Sequence, residues 1–230
     1  MKRTLTSLAR LTKTVLAYRT HALRGDLGYE VLELPPGERV LVCAPHPDDD
    51  VIGCGGAIAR LRAAGKQVDI LYQFDVTPER WEEGKRGAEL LGVPAEHVHR
   101  VDQAQPLSAF FEQLAPDTVY LPSSIDNHPD HIAMHRAVLD CVPDDVTLVN
   151  YEVWTPVFFN KILPIDDVIK TKQAAIRAHR SQLKDRDYEA ALLGLAQYRA
   201  ASLGVGRYAE AYLVVSPAVA RRLATAAVEA

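Results

Sequence analysis

The sequence predicts an α/β fold: a single domain in which helices cover both faces of a mostly parallel β-sheet. Short apolar stretches alternate with stretches of helical periodicity along most of the 230 residues, as they do in repeated βαβ units. A hydrophobic fraction of 48% is enough to form a buried core in a chain of this length. No internal repeat or low-complexity tract interrupts the alternation, so no second folded domain is expected.

The predicted elements follow from local sequence signals. Residues 39–44 come after the turn-forming stretch 35–37 and are apolar and β-branched, which indicates a buried strand. Residues 54–64 have helical spacing, and Gly65 stands where a helix terminator is expected. The same criteria predict further strands at residues 68–74, near 98, and at 118–121, 147–153 and 211–215, and helices over 78–91, 107–114, 130–141, 165–182, 188–203 and the C-terminus. Residues 154–164 are predicted to be less regular.

The N-terminal residues 1–36 are predicted to form a basic amphipathic segment ahead of the domain at residues 37–230. Residues 1–25 contain six basic side chains and no acid, and their apolar residues recur at helical spacing. We favour a peripheral helix that packs on its own domain or on a neighbouring subunit. Contact with an anionic membrane surface through residues 1–25 is the less favoured alternative.

The composition excludes several classes of protein. A net charge of −4 offers no basic field for nucleic acid, so no nucleic-acid partner is expected. The three cysteines, Cys43, Cys54 and Cys141, are far apart and form no CxxC pair, which suits a reducing compartment. Neither a secretory signal nor an apolar run long enough to span a membrane is present, so a cytoplasmic location is expected. A homo-oligomer is left open.

An imidazole and three carboxylates follow the first predicted strand of the domain. They occupy residues 46–50, which read His-Pro-Asp-Asp-Asp. Crowded carboxylates repel one another, and a bound metal ion is the simplest compensating charge. The alternative is a solvated acidic turn at the N-terminus of the next helix, where aspartate is favourable in any case.

A second polar loop follows the strand at residues 118–121. Residues 126–131 read Asp-Asn-His-Pro-Asp-His. In a doubly wound sheet the two loops can meet at one edge, where His46, Asp49 and His131 would close on one ion. Two histidines and a carboxylate suit catalytic zinc, which typically has three protein ligands and an open position. His135, four residues after His131, is a rival ligand, whereas His21, His97 and His99 are interpreted as ordinary core or surface residues.

These two loops resemble a known family. Pro45-His46-Pro47-Asp48-Asp49-Asp50 and His128-Pro129-Asp130-His131 are similar to the AHPDDE and HPDH motifs of the LmbE-like, or PIG-L, zinc-dependent de-N-acetylases. The resemblance implies a Rossmann-like fold and zinc held by His46, Asp49 and His131, with Fe²⁺ or another divalent ion as an alternative. Pro45 and Asp50 stand where the family usually has Ala and Glu, and the effect of the shorter Asp50 side chain is left open.

Weaker similarities extend the resemblance to residues 38–215. Arg80-x-x-Glu83 resembles a family helix whose arginine faces the substrate, so Arg80 is the candidate substrate-binding residue. An exposed helix arginine is the alternative reading of Arg80. Residues 172–182 and 208–211 resemble the family's C-terminal portion. Trp154, at the end of a predicted strand, is either a face for a sugar ring or a core residue.

The resemblance also implies catalytic roles. Asp48 would act as general base for a water activated by zinc and later protonate the leaving amine. A protonated His128 would stabilise the oxyanion, and Asp130 would orient His128. The implied function is removal of an N-acyl group, in particular acetyl, from a small amino sugar or glycoconjugate. The alternatives are an amidase acting on a thiol-conjugated or other non-carbohydrate amide, and a non-catalytic metal-binding or sugar-binding relative; a structural zinc protein is disfavoured.

Overall fold

The computed structural model describes residues 28–102, 105–184 and 187–228. Within these residues the chain forms one α/β unit with eight strands and seven helices. The strands are β1 (Glu30–Val31), β2 (Arg39–Ala44), β3 (Gln67–Tyr72), β4 (Val98–Arg100), β5 (Thr118–Pro122), β6 (Thr147–Tyr151), β7 (Lys161–Pro164) and β8 (Ala209–Val215). The helices are α1 (Asp49–Ala63), α2 (Pro78–Leu90), α3 (Leu107–Leu114), α4 (Pro129–Cys141), α5 (Ile169–Ala178), α6 (Tyr188–Leu203) and α7 (Pro217–Val228).

The sheet is mostly parallel, in the order β1-β7-β8-β6-β5-β2-β3-β4. Strands β6, β5, β2, β3 and β4 are parallel neighbours, and β8 runs antiparallel to both β6 and β7. The chain moves outward in opposite directions from the adjacent strands β2 and β5. The loops that follow these two strands therefore flank a crevice at the carboxyl edge of the sheet, where open α/β sheets bind ligands.

Helices cover both faces of the sheet, as predicted. Alternate residues of β2 point into different cores: Val40 and Val42 pack with α1, α2 and α5, whereas Leu41 and Cys43 pack with α3, α4 and α7. This alternation follows from the period of two along a strand. A strand buried on both faces has to be apolar throughout, which explains the continuous apolar run that predicts β2.

The structure differs from the predicted elements at several points. Helix α1 begins at Asp49, five residues before its predicted start, because Asp49 and Asp50 lie inside its first turn. The stretch predicted to be irregular contains β7, a short strand that is held by β8 on one side and β1 on the other. The predicted N-terminal segment lies outside the described residues up to residue 27, and its end contributes β1 to the sheet. None of the described helices is long and apolar enough to cross a lipid bilayer.

Candidate active site

The loop after β2 brings His46 and Asp49 together at the N-terminus of α1. The Asp49 carboxylate accepts a hydrogen bond from the His46 backbone N–H, at 2.9 Å, and lies 3.0 Å from Nδ1 of the His46 ring. Burial favours the protonated acid, but contacts with His131 and His46 outweigh it and hold the pKa of Asp49 well below its ordinary value. Asp49 is therefore an anion that faces two imidazoles.

The loop after β5 adds the remaining histidines. His128 caps α4, and its Nδ1 accepts a hydrogen bond from the Asp130 backbone N–H, at 3.2 Å. His131 lies in the first turn of α4, fully buried, with Nε2 3.2 Å from Asp49 Oδ2. The two loops, 80 residues apart in the chain, thus meet at the edge of the sheet where the sequence predicts them to meet.

Three imidazoles converge at this point. His46, His128 and His131 each offer one ring nitrogen, and the three nitrogens lie within 4.8 Å of one another. The predicted ligand set contains Asp49 in place of His128. Oδ2 of Asp49 contacts both His46 and His131. The structure therefore brings all three predicted ligands together and adds His128 as a fourth potential ligand. The rival His135 lies outside the cluster, where its Nδ1 is 2.9 Å from the Pro122 carbonyl oxygen.

The donor set fits a divalent ion. Both ring nitrogens of His131 are buried and have no partner in hydrogen-bonding geometry among the described residues, although carboxylate oxygens lie 3.2 Å away on both sides. Burial opposes protonation of His131, but Asp126 and Asp49 outweigh it and raise the pKa of His131 to about 9. A site that favours a proton between two carboxylates also favours a metal ion that replaces this proton.

Asp48 is held next to this cluster by an unusual backbone and by an arginine. Its φ of 150° and ψ of −28° lie outside the regions that non-glycine residues prefer. Its Oδ1 accepts a hydrogen bond from Nη2 of Arg80 at 3.1 Å. Burial and the neighbouring Asp49 carboxylate raise the pKa of Asp48 well above its ordinary value, and Arg80 only partly opposes them. A raised pKa is what a carboxylate needs to act as a general base.

Arg80 is buried, with 8% of its surface exposed, so it is not an exposed helix arginine. Its second contact is with Asp75, whose Oδ2 lies 2.5 Å from Nη1. Asp75 adopts a left-handed conformation, with φ of 47°, in the segment between β3 and α2. Arg80 lines the pocket and donates a hydrogen bond to Asp48, and its contact with a substrate stays a prediction.

The arrangement of His128 and Asp130 differs from the prediction. Oδ2 of Asp130 lies 3.0 Å from Nε2 of His46, but 4.0 Å from Nδ1 of His128. Burial, followed by the charges of His131 and His46, lowers the pKa of His128. Nδ1 of His128 also accepts a backbone hydrogen bond, which favours a neutral ring. The protonated His128 oriented by Asp130 stays a prediction.

Asp126 has a role that sequence reasoning missed. Its Oδ1 lies 3.2 Å from Nδ1 of His131 and accepts a hydrogen bond from the His128 backbone N–H, at 2.9 Å. Its Oδ2 accepts one from the Trp154 backbone N–H, at 3.1 Å. Asp126 therefore contacts the ring of a predicted ligand and joins it to the loop after β6. The sequence feature that could have identified Asp126 is its position as the first residue of the second polar loop.

The site opens into a pocket of about 780 Å³. Its described lining residues are mostly polar, and they are His46, Asp48, Asp49, Asp75, Arg80, Asn127, His128, Asp130, Trp154, Ser181, Gln182 and Tyr188. Glu83 holds the wall that contains Ser181, accepting hydrogen bonds from its backbone N–H at 2.8 Å and its hydroxyl at 2.5 Å. Asp50 does not line the pocket; burial raises the pKa of Asp50 to about 7, and the neighbouring Tyr72 hydroxyl opposes this only in part.

Comparison with known proteins agrees with this geometry. Residues 41–142 match the family described as PIG-L: GlcNAc-PI de-N-acetylase. The diacetylchitobiose deacetylase of Thermococcus kodakarensis is 26% identical, and the alignment covers 66% of this chain and 73% of that protein.

Two solved structures show the same fold. The N,N'-diacetylchitobiose deacetylase of Pyrococcus horikoshii superimposes with a TM-score of 0.67 at 25% identity, covering 87% of this chain and 92% of that one. The conserved protein TT1542 of Thermus thermophilus gives a TM-score of 0.67 at 27% identity, covering 78% and 95%. Both polar loops, at residues 46–50 and 126–131, fall within the matched family region. Residues 41–142 are thus similar to the PIG-L, or LmbE-like, family, and the fold is similar to both solved structures.

Proposed function

We propose that the chain is a zinc-dependent hydrolase that removes an N-acetyl group from a small amino sugar or glycoconjugate. The observation that carries this proposal is the position of Asp48, a carboxylate with a raised pKa, beside three convergent histidines and in the wall of an open pocket. Simple metal binding would not need Asp48. Metal-assisted hydrolysis, by contrast, uses a general base next to the metal site.

His46, Asp49 and His131 are the proposed metal ligands, with zinc as the proposed ion and Fe²⁺ as the alternative. A divalent ion bound there would lower the pKa of a water molecule and polarise an amide carbonyl. Two contacts support this ligand set: Asp126 lies 3.2 Å from the His131 ring, and the His46 backbone N–H donates a hydrogen bond to the Asp49 carboxylate.

Asp48 is the proposed general base. It would accept the proton of the attacking water and pass it to the amine that leaves, so that the amide C–N bond breaks and acetate and a free amine form. Arg80 keeps the carboxylate in place from the other side. A neutral His128, with Nδ1 occupied by the Asp130 backbone, would donate a hydrogen bond through Nε2 to the oxygen that gains charge.

The amino-sugar substrate is proposed from the relatives, two of which are named diacetylchitobiose deacetylases. The polar lining of the pocket supports a substrate with many hydroxyl groups. The alternative function is amidase activity on a non-carbohydrate amide. Such an enzyme would release acetate from simple aryl or thiol-conjugated acetamides but not from N-acetylated sugars.

The first test is metal content, which requires no knowledge of the substrate. Purified wild-type protein should hold about one divalent ion per chain, and His46→Ala, Asp49→Ala and His131→Ala should lose most of it while remaining folded. His99→Ala is the matched control, because His99 lies by Asp69, away from the pocket. Metal loss in His128→Ala, with retention in Asp49→Ala, would replace Asp49 by His128 in the ligand set.

The second test is acetate release from N,N'-diacetylchitobiose. Asp48→Asn should keep its metal and lose roughly 10²-fold to 10⁴-fold in kcat, the range for removal of a general base. Asp48→Asn activity within a few-fold of wild type would reject Asp48 as the base, and a metal-loaded wild type that releases no acetate from any N-acetylated sugar would reject the proposed reaction.

A further inference from the structure

The pocket extends well beyond the groups that would react. Its volume of about 780 Å³ lies in the upper part of the range of about 300–1,000 Å³ that holds drug-sized ligands. The histidine cluster and Asp48 line this pocket, and Trp154 and Tyr188 line it as well. Space therefore remains for a substrate portion that is linked to the acylated sugar.

Trp154 and Tyr188 supply an aromatic surface in an otherwise polar pocket. Apart from histidines, they are the aromatic side chains among the described lining residues. Their ring centroids are 5.2 Å apart at an interplanar angle of 53°, and Trp154 is 37% exposed. This exposure favours the binding-surface interpretation of Trp154 over the core one. Aromatic faces bind the apolar C–H face of a sugar ring, while neighbouring polar groups bind its hydroxyls.

The aromatic surface is fixed to the reaction centre rather than carried on a free loop. The Trp154 backbone N–H donates a hydrogen bond to Asp126, which also contacts His131. In the same loop, Glu152 forms a buried ion pair with Arg199 of α6, and Arg199 also donates to the Val157 carbonyl. Since Tyr188 begins the same helix, α6 carries one aromatic residue and is ion-paired with the loop that carries the other.

We propose that Trp154 and Tyr188 form a second sugar subsite, which binds a pyranose ring linked to the ring that carries the N-acetyl group. This inference rests on the proposed function, because it assigns further residues of the same pocket. It makes a disaccharide a better substrate than the corresponding monosaccharide. Binding of the second ring helps to place the amide at the reacting groups, so the effect is expected in kcat/KM.

The kinetic test compares N,N'-diacetylchitobiose with N-acetylglucosamine. Wild type should prefer the disaccharide, and Trp154→Ala should lose roughly tenfold in kcat/KM for the disaccharide and less for the monosaccharide, so that the preference falls. Trp154→Phe should restore most of the preference. Tyr198→Ala is the matched control, because Tyr198 is a 64% exposed aromatic residue of the same helix that does not line the pocket. An unchanged preference in Trp154→Ala would overturn the subsite.

A binding test separates the subsite from the reaction. The chain has two tryptophans, so Trp81→Phe in an Asp48→Asn background leaves Trp154 as the fluorescent tryptophan. N,N'-diacetylchitobiose should change its emission, whereas N-acetylglucosamine at the same concentration should change it less. If wild type hydrolyses neither sugar but Trp154 still responds to the disaccharide, the subsite stands and the proposed reaction fails. If Trp154 responds to neither sugar, the subsite is overturned.

Discussion

His179 shows how burial sets the charge of a single residue. It ends α5 and is 2% exposed, and its Nε2 would lie 2.7 Å from a Cβ placed on Gly87 of α2. Burial lowers the pKa of His179 to about 4 from the ordinary 6.5, and the charge of Glu83 only partly opposes this. His179 is therefore a neutral packing residue at the junction of α2 and α5, next to the pocket wall that contains Ser181.

This shift predicts a loss of stability in acid. The unfolded chain binds a proton at His179 below about pH 6.5, whereas the folded protein resists it down to about pH 4, so stability present at pH 7 is lost between these values. The contribution lost by pH 5 is about 2 kcal/mol. Urea unfolding of metal-free protein at pH 7 and pH 5 should show a smaller difference in His179→Gln than in wild type. Equal differences would show that His179 is not the source.

The position of the acidic loop depends on how helix α1 is held. The helix has a kink at Cys54, where φ is −143° and ψ is 22°. Beyond this kink, the Glu210 carboxylate of β8 accepts hydrogen bonds from the backbone N–H groups of Gly56 and Ala57, at 2.8 and 2.9 Å. Lys172 of α5 donates to Glu210 and to the Ile52 carbonyl before the kink. A buried ion pair thus joins α1, α5 and β8 directly behind the turn that presents Asp48 and Asp49.

Removal of one partner of this pair should be costly. Lys172→Met leaves the Glu210 charge buried without its cation, and the free energy of unfolding should fall by about 3–5 kcal/mol. Arg86→Met breaks an exposed pair with Glu89 and should cost less than about 1 kcal/mol. Urea denaturation of both variants measures the contrast. Similar small losses would mean that the buried pair contributes no more than a surface pair.

At the scale of the whole molecule, the proposed metal site links folding to ion binding. Its ligands come from the loop after β2 and from α4, so they assemble only in the folded chain. An ion that binds only the folded state, at 100 times its Kd, adds about 2.7 kcal/mol to stability. For a chain of this size, Tm should therefore rise by roughly 5–10 °C when zinc is added to metal-free protein.

The same comparison contains its own control. The zinc-dependent rise in Tm should be absent in His131→Ala and retained in His99→Ala, since His99 lies outside the site. A full rise in His131→Ala would place the ion elsewhere in the molecule.

Local sequence was sufficient for most of the architecture. The bounds of β2, α3 and α6 agree with the predicted residues 39–44, 107–114 and 188–203, because apolar periodicity and terminating residues act within a few positions. The alternation of strands and helices also indicated that the two polar loops would meet. Short strands such as β7 were missed because they owe their existence to pairing with β8, which begins 45 residues after β7 ends.

The residue types of the two loops indicated a metal site and its three proposed ligands, and their resemblance to a known family implied the base Asp48. Only the tertiary structure decided which partner each side chain has: Asp130 contacts His46 rather than His128, Arg80 holds Asp48, and Asp126 joins His131 to Trp154. The physical reason is that residue type fixes which hydrogen bonds and ion pairs a group can form. Burial and the approach of distant segments decide which of these contacts the group makes and whether it is protonated.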